Sequence, residues 1–368
     1  MANEDKSSRY HRLRRQASLL GTVWQVVFLL ALMVTGGSAA IRSMAVSGAD
    51  GALAPAVVLY VLTLALLCEV VRLPLAFYQG VVLERRYGLS KDTTARWWAD
   101  HARAAVVGLA ALVAASLAVV GLLEWSPEGW WVAAAVCFTT GLVLIAQFAP
   151  VVLLPIFDAV KPLENPALQA RLLALASRAG TPALGVFEWQ VGHRTRKANA
   201  ALVGIGRTRR ILVSDTLLAG QSGDEIEAIL AHELAHHVYG DLWTAILVEA
   251  ALVVLGFYFA DVLLTASAGR FGLERKADIA GLPLLALAAG GASLALMPLA
   301  HAVSRAHERR ADRYALDMTQ NPAAFISAVK RLAATNLAEE RPSPLVEFLF
   351  HTHPSIASRI DAARRRGA

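Results

Sequence analysis

The sequence predicts a mainly α-helical, polytopic membrane protein, with about six transmembrane helices and a split soluble domain that holds a small antiparallel β-sheet. Three observations carry that prediction. Hydrophobic residues make up 56% of the 368 and charged residues only 17%, against roughly 25% charge in soluble domains, and mean hydropathy is +0.48. Apolar runs recur at 18–37, 54–79, 104–123, 130–154, 242–265 and 281–300, each near the ~20 residues that cross the hydrocarbon core as helix. Two stretches, 156–241 and 301–368, are too polar to span and together suffice for one modest core. The chain thus divides into a membrane portion at 1–155 with four spans, a soluble part at 156–241, a transmembrane hairpin at 242–300 and a second soluble part at 301–368.

The first run follows MANEDKSSRYHRLRRQ and lacks a small-residue cleavage site, so it is expected to stay as an anchor. Arg9, Arg12, Arg14 and Arg15 place its start in the cytoplasm. Counting spans from there puts 80–103 and both soluble parts on that side, together with Arg194, Arg196, Lys197, Arg207, Arg209 and Arg210. One outer loop runs against this: GRFGLERKAD at 269–278 carries Arg270, Arg275 and Lys276. The net charge of +6 is accounted for by basic cytoplasmic loops, and no aromatic-interleaved basic stripe points to nucleic acid. Cys68 and Cys137 lie in separate apolar runs and read as packing residues, neither a disulfide nor metal ligands.

In the first soluble part, Asn165 as N-cap, Pro166 at the first helical position and Gly180 as the stop bound a short helix. Strand-like runs follow at 184–191, 198–206 and 210–215, the last two joined by a reversal at GRTRR. Ser222 and Glu225 then form a capping-box pattern. The helix it starts is expected to run unbroken to about residue 264, roughly 60 Å at about 1.5 Å per residue, half in cytoplasm and half in lipid.

That helix opens with HELAH at 232–236. Residues four apart share a helix face, so His232 and His236 can present both imidazoles to one zinc ion. Glu233, offset by about 100°, is the candidate general base for a water at that ion. A hydrolytic zinc site needs a third protein ligand. Glu308 in SRAHERRADRYALD is the best candidate, with Asp312 one turn on to fix a histidine tautomer. The bland alternative is that both pair with Arg309, Arg310 or Arg313 on a solvated face. His237, His301 and His307 read as structural. His353, before Pro354 in FHTHPSIASRI, can donate to an oxyanion. Glu69, Arg72, Glu249 and Asp261 are charged residues in apolar runs and are expected to pair or to face a bundle interior or wet cavity.

Taken in order, HELAHHVYGD, ERRADRYAL and HTHPSIASRI resemble the type I CAAX prenyl endopeptidase family and its HtpX-type bacterial relatives. The segments at 72–101, 153–168 and 197–218 resemble blocks of the same family, so the likeness spans nearly the whole chain. Two features depart from the CAAX branch: its members usually have seven spans, and they have a Gly-His-Trp arrangement where this chain has Ala235-His236-His237. The resemblance implies a cytoplasmic zincin-like domain with one Zn2+ per chain, held by His232, His236 and Glu308, with Glu233 as base and His353 as transition-state donor. It also implies that Asn199 and Ala200 lie along the substrate cleft, where a polypeptide binds by strand addition. The implied protein is a multi-pass enzyme of a bacterial inner membrane, acting on membrane-anchored or lipidated polypeptides. Its expected activity is metalloendopeptidase cleavage of membrane-associated proteins, with processing of prenylated C-termini as the alternative. Two rivals stay open on residues alone: a site-two type protease, which needs the motif inside the apolar run, and a non-catalytic scaffold or transporter with a relic zinc site.

Overall fold

The computed structural model describes residues 5–152, 159–204 and 209–367, with only the backbone for 147–152. The N-terminal half is helical: α1 (Lys6–Val34), α2 (Gly37–Gly48), α3 (Leu53–Phe77), α4 (Thr94–Trp125) and α5 (Trp130–Val152). After α3 the chain continues through a π-helical turn at Tyr78–Leu83 and a short turn at Glu84–Arg86. There Gly80 lies so close to the Trp97 ring that an added Cβ would sit 2.5 Å from its Nε1.

The soluble part opens with β1 (Ala159–Pro162) and α6 (Pro166–Arg178), where Asn165 Oδ1 accepts from the Leu168 amide at 3.0 Å and Gly180 takes φ 67°. Next come β2 (Val186–Gln190), β3 (Ala200–Val203), β4 (Arg210–Ser214), α7 (Asp215–Gly220) and α8 (Gly223–Val238). The membrane hairpin is α9 (Asp241–Ser267) and α10 (Leu282–Thr319), and the C-terminal part is α11 (Pro322–Thr335), α12 (Pro344–Phe350) and α13 (Ile356–Gly367).

Among the described residues five helices are long and apolar enough to cross a bilayer: α1, α3 with its two following turns, α4, α9 and α10. The expected fourth span corresponds to α5, whose described apolar stretch, Trp130–Ala146, is shorter. These six helices pack in cyclic order, α1 on α3, then α4, α5, α9 and α10, which returns to α1. The chain is a polytopic membrane protein.

Two expectations are corrected. The sheet is mixed, with order β1-β2-β4-β3: β1–β2 and β3–β4 are antiparallel but β2 and β4 run parallel. The cause lies in the link between β2 and β3. It leaves the sheet to pair with the loop between α3 and α4 of the membrane portion, where the Lys91 amide donates to the Arg194 carbonyl at 2.7 Å and the Arg196 amide to the Leu89 carbonyl at 3.1 Å. The chain therefore returns to the sheet by a detour, and β4 inserts beside β2. The reversal expected at 206–210 falls mostly outside the described residues. The second correction concerns the motif helix, which is not unbroken: α8 ends at Val238, Gly240 adopts φ 65°, and α9 starts anew at Asp241. A left-handed residue costs glycine little and turns the chain between the two helices.

One apolar core unites the two soluble parts. Leu172 of α6, Ile211 and Val213 of β4, Leu230 and Leu234 of α8, Leu316 of α10, Phe325 of α11 and Ile360 of α13 are all buried in it. Because α10 runs through residue 300, the expected boundary there falls inside a helix, and Glu308 rides on the same rod that leaves the membrane hairpin.

At the opposite end of the bundle, the basic loop that strained the charge count is neutralised. Arg275 Nη1 donates to Glu124 at 2.8 Å, Lys276 lies 2.6 Å from Asp261, and Arg42 pairs with Asp278 and, at 2.8 Å, with Glu274. Trp130 Nε1 also donates to Asp261, at 2.5 Å. Glu69 pairs with Arg72 at 3.3 Å and with His101 at 2.6 Å, while Glu249 is exposed on α9.

Candidate active site

The site is assembled by α8 and α10, which pack closely along their lengths. Helix α8 starts in a full capping box: the Ser222 amide donates to Glu225 Oε2 at 2.6 Å and the Glu225 amide to Ser222 Oγ at 3.3 Å. Fixing that first turn fixes the phase of everything downstream. Three turns later His232 and His236 project from one face, their rings 5.0 Å apart and nearly perpendicular.

Glu308 arrives from α10, its side chain only 7% exposed, with Oε2 at 3.2 Å from His232 Nε2 and Oε1 at 3.5 Å from His236 Nε2. Ligand atoms from the three residues lie within 4.8 Å of one another. Zinc–ligand bonds of about 2.0–2.1 Å in tetrahedral array place neighbouring ligands roughly 3.3 Å apart. The Glu308 Oε2 atom is buried without a properly angled hydrogen bond among the described residues, although imidazole nitrogens crowd it. The ligand-capable atoms of the three residues thus converge on a common point, and two imidazoles with a carboxylate match the donor set of hydrolytic zinc. The residues present fit such an ion.

Each histidine is held from behind by a different carboxylate. His232 Nδ1 lies 2.9 Å from Asp312 Oδ1, and Asp312 also accepts two hydrogen bonds from Arg359 of α13, at 2.8 and 2.6 Å. His236 Nδ1 lies 2.8 Å from Asp241 Oδ2, and Arg310 of α10 pairs with the same carboxylate while its guanidinium sits 4.3 Å from the centroid of the Tyr239 ring. Such partners orient a ligating imidazole and set which nitrogen faces the ion. The Gly240 turn is what brings Asp241 back to His236. An unbroken helix would carry it away, about 500° of rotation further on.

Burial works to lower the His232 pKa, but the Asp312 and Glu308 carboxylates beside its ring override it and push it up to about 9. Burial raises the pKa of Glu233, beside His232 and His236, above the ordinary glutamate value, an environment compatible with a proton-transfer group.

His353 stands at the rim, 60% exposed, its Nδ1 2.7 Å from Glu308 Oε2. The segment bearing it is braced from beneath: Arg305, buried in α10, donates to the carbonyls of Glu347 at 2.9 Å and His351 at 2.6 Å. The N-terminal helix adds His11, 2.8 Å from the Leu337 carbonyl, and Arg15, 2.7 Å from Glu339. Asn199 is exposed just before β3; its amide donates to Ser214 Oγ at 2.9 Å and its carbonyl accepts from the Ser214 amide at 3.0 Å. Ala200, the first residue of β3, is buried. Of the histidines read as structural, His237 is 3.1 Å from the Leu202 carbonyl, His301 is 2.9 Å from the Leu349 carbonyl, and His307 is 3.8 Å from Asp241.

Sequence reasoning missed Asp241, Arg305, Arg310 and Arg359. The Gly-Asp pair after the motif was a readable stop-and-restart signal, masked by the apolar run behind it. The arginines carried no local signal, because their partners are 42 to 69 positions away.

The sequence profile of Peptidase family M48 matches residues 162–367, and that of the CAAX prenyl protease N-terminal region, described as five membrane helices, matches residues 2–159. An uncharacterized metalloprotease, YhfN of Bacillus subtilis, is 31% identical over 83% of this chain and 72% of its own length. CAAX prenyl protease 1 of Saccharomyces cerevisiae is 26% identical over 97% of this chain and 84% of its own. Protease HtpX of Stutzerimonas stutzeri is 31% identical over 50% of this chain and 67% of its own. The crystal structure of S. mikatae Ste24p shares the fold, with a TM-score of 0.84 over 97% of this chain and 87% of that one, at 24% identity. With profile and relatives agreeing over a cluster able to hold a metal ion, this chain belongs to Peptidase family M48 and is a membrane-integrated, metal-dependent protease.

Proposed function

We propose that the protein is a zinc metalloendopeptidase of the CAAX-processing kind, which trims polypeptides held at the bilayer by a lipid or other C-terminal anchor, with its site on the cytoplasmic face. The observation that carries this reading is the docking of the membrane portion onto the chain just before β3. Lys197 donates to Glu84 at 3.0 Å, the Tyr10 hydroxyl donates to the same carboxylate at 2.6 Å, and Arg194 reaches both Asp92 and Asp100. These bonds tie the proposed substrate strand to the loop between α3 and α4, which in this reading lets a chain emerging from the membrane meet the cleft directly. The likeness to CAAX prenyl protease 1 along nearly the full chain supports the same reading. The match to HtpX over half the chain favours a second one, broader clearance of membrane proteins.

In this reading His232, His236 and Glu308 hold the zinc ion. Zinc bound there supplies a Lewis acid that polarises the scissile carbonyl and makes water a competent nucleophile near neutral pH. Glu233 takes the proton from the attacking water and passes it to the leaving amine. His353 donates to the carbonyl oxygen as negative charge develops on it. Asp312 and Asp241 keep both ligating rings in place, and Asn199 and Ala200 align the substrate strand. The division into a membrane portion at 1–155, soluble parts at 156–241 and 301–368 and a hairpin at 242–300 belongs to this proposal.

Purified protein should cleave a lipidated peptide in preference to its unlipidated twin, in a zinc-dependent way, and Glu233→Gln should retain zinc and lose cleavage. Equal rates on the two peptides would favour the broader clearance reading, and full proteolysis by Glu233→Gln would remove the assigned mechanism.

A further inference from the structure

Strand β3 pairs with β4 on one side and forms the edge of the sheet on the other. Its register, Ala200 with Val213, Ala201 with Leu212 and Leu202 with Ile211, and the bond from the Ser214 amide to the Asn199 carbonyl, fix which groups point where. In an antiparallel ladder alternate residues turn their amide and carbonyl toward the partner. Residues 199, 201 and 203 therefore face β4, and Ala200 and Leu202 present theirs to the open edge. One of those edge groups is already engaged: His237 Nε2 lies 3.1 Å from the Leu202 carbonyl. His237 comes from α8, directly after the ligand position His236, and is half-buried between helix and strand.

We infer that His237 is a specificity-determining residue that caps the substrate-binding edge at Leu202 and so limits how many substrate residues can pair with β3. This deepens the peptidase reading and rests on it. An added antiparallel strand finds both groups of Ala200 and the amide of Leu202, and then meets an imidazole in place of the next acceptor. The cap also protects the sheet: an open edge invites unspecific pairing, and a short, blocked edge resists it. An enzyme built this way accepts a short extended segment and gains nothing from a longer one.

The test is a set of peptides lengthened one residue at a time from either end, cleaved by the full-length protein in detergent, with His237→Ala and His237→Gln compared to wild type. Alanine frees the Leu202 carbonyl, whereas glutamine keeps an N–H donor at that place. For wild type, kcat/KM should stop rising at a set length on one side. His237→Ala should gain about fivefold with the next residue on that side, the worth of one backbone hydrogen bond, and His237→Gln should keep the wild-type profile. An active His237→Ala enzyme with an unchanged length profile overturns the inference. So does a loss of zinc content in both variants, which would make His237 a support of the metal cluster alone. If wild type cleaves none of the peptides, the peptidase reading fails first, and the inference falls with it.

Discussion

The two ends of the membrane bundle are built from the same ingredients and differ in how their charges are spent. At the end remote from the site Arg42, Arg275 and Lys276 each face a carboxylate, and Asp261 takes a further hydrogen bond from Trp130. Positive and negative groups cancel there, and the arrangement is self-sufficient. At the catalytic end Asp312 and Asp241 are likewise saturated, by Arg359 and Arg310, but the groups they orient are not. Glu308, His232 and His236 turn ligand-capable atoms on one point, and among the described residues a buried carboxylate oxygen of Glu308 is left without a well-directed donor. A closed ionic network holds a structure together, whereas a deliberately incomplete one binds something.

The sharpest way to break the comparison is at the catalytic end. Glu233→Gln should lower kcat by about 10²–10⁴-fold, the range for loss of a positioned proton-transfer group, with zinc content and melting temperature unchanged. At the remote end the reverse pattern is expected. Asp278→Ala removes the buried carboxylate partner of Arg42 and leaves it only the exposed Glu274, which should cost about 1–3 kcal/mol of stability, read as a lower midpoint in thermal or denaturant unfolding, while turnover per folded molecule stays the same. A loss of turnover without loss of stability would mean that the remote cap communicates with the site.

Smaller effects sharpen the account. Asp241→Asn and Asp312→Asn should each weaken zinc affinity about 10–100-fold, measured by competition with a chromophoric chelator. The Asp312 variant should be the more damaging in stability, because it also leaves the buried Arg359 unpaired. Zinc uptake should further depend on pH. With the metal-free His232 pKa at about 9, the ring carries a proton at pH 7 that zinc must displace, so affinity falls by up to about tenfold per unit as pH drops below that value. Calorimetry in buffers of different ionisation enthalpy should count about one proton released per zinc at pH 7. A count of zero would show that His232 is already neutral. Least of all, Arg305→Met should reduce kcat several-fold with little change in KM or zinc content, by loosening the segment that carries His353.

Much of this was legible in the chain itself, for physical reasons. The apolar runs, the Asn165 and Ser222 caps and the HELAH spacing are local signals, and local signals survive in one dimension. The carboxylate pair Glu308 and Asp312 could be read because one helical turn separates them. What stayed hidden depends on distant partners. The parallel pairing of β2 with β4 follows from a link pinned to Leu89 and Lys91 about a hundred positions earlier. Arg359 and Arg305 look like ordinary surface arginines until the fold brings them to Asp312 and His351. The break at Gly240 lay between the two cases: its signal was local, but the continuous hydrophobicity of the following run outweighed it.

The central claim is that two imidazoles from α8 and a carboxylate from α10 hold one zinc ion. X-ray absorption at the zinc edge on purified, metal-loaded protein tests it directly. The account predicts one zinc per chain with nitrogen and oxygen neighbours at about 2.0–2.1 Å, and loss of that zinc in Glu308→Ala. A sulfur shell at about 2.3 Å, or stoichiometric zinc that survives Glu308→Ala with unchanged coordination, would contradict it.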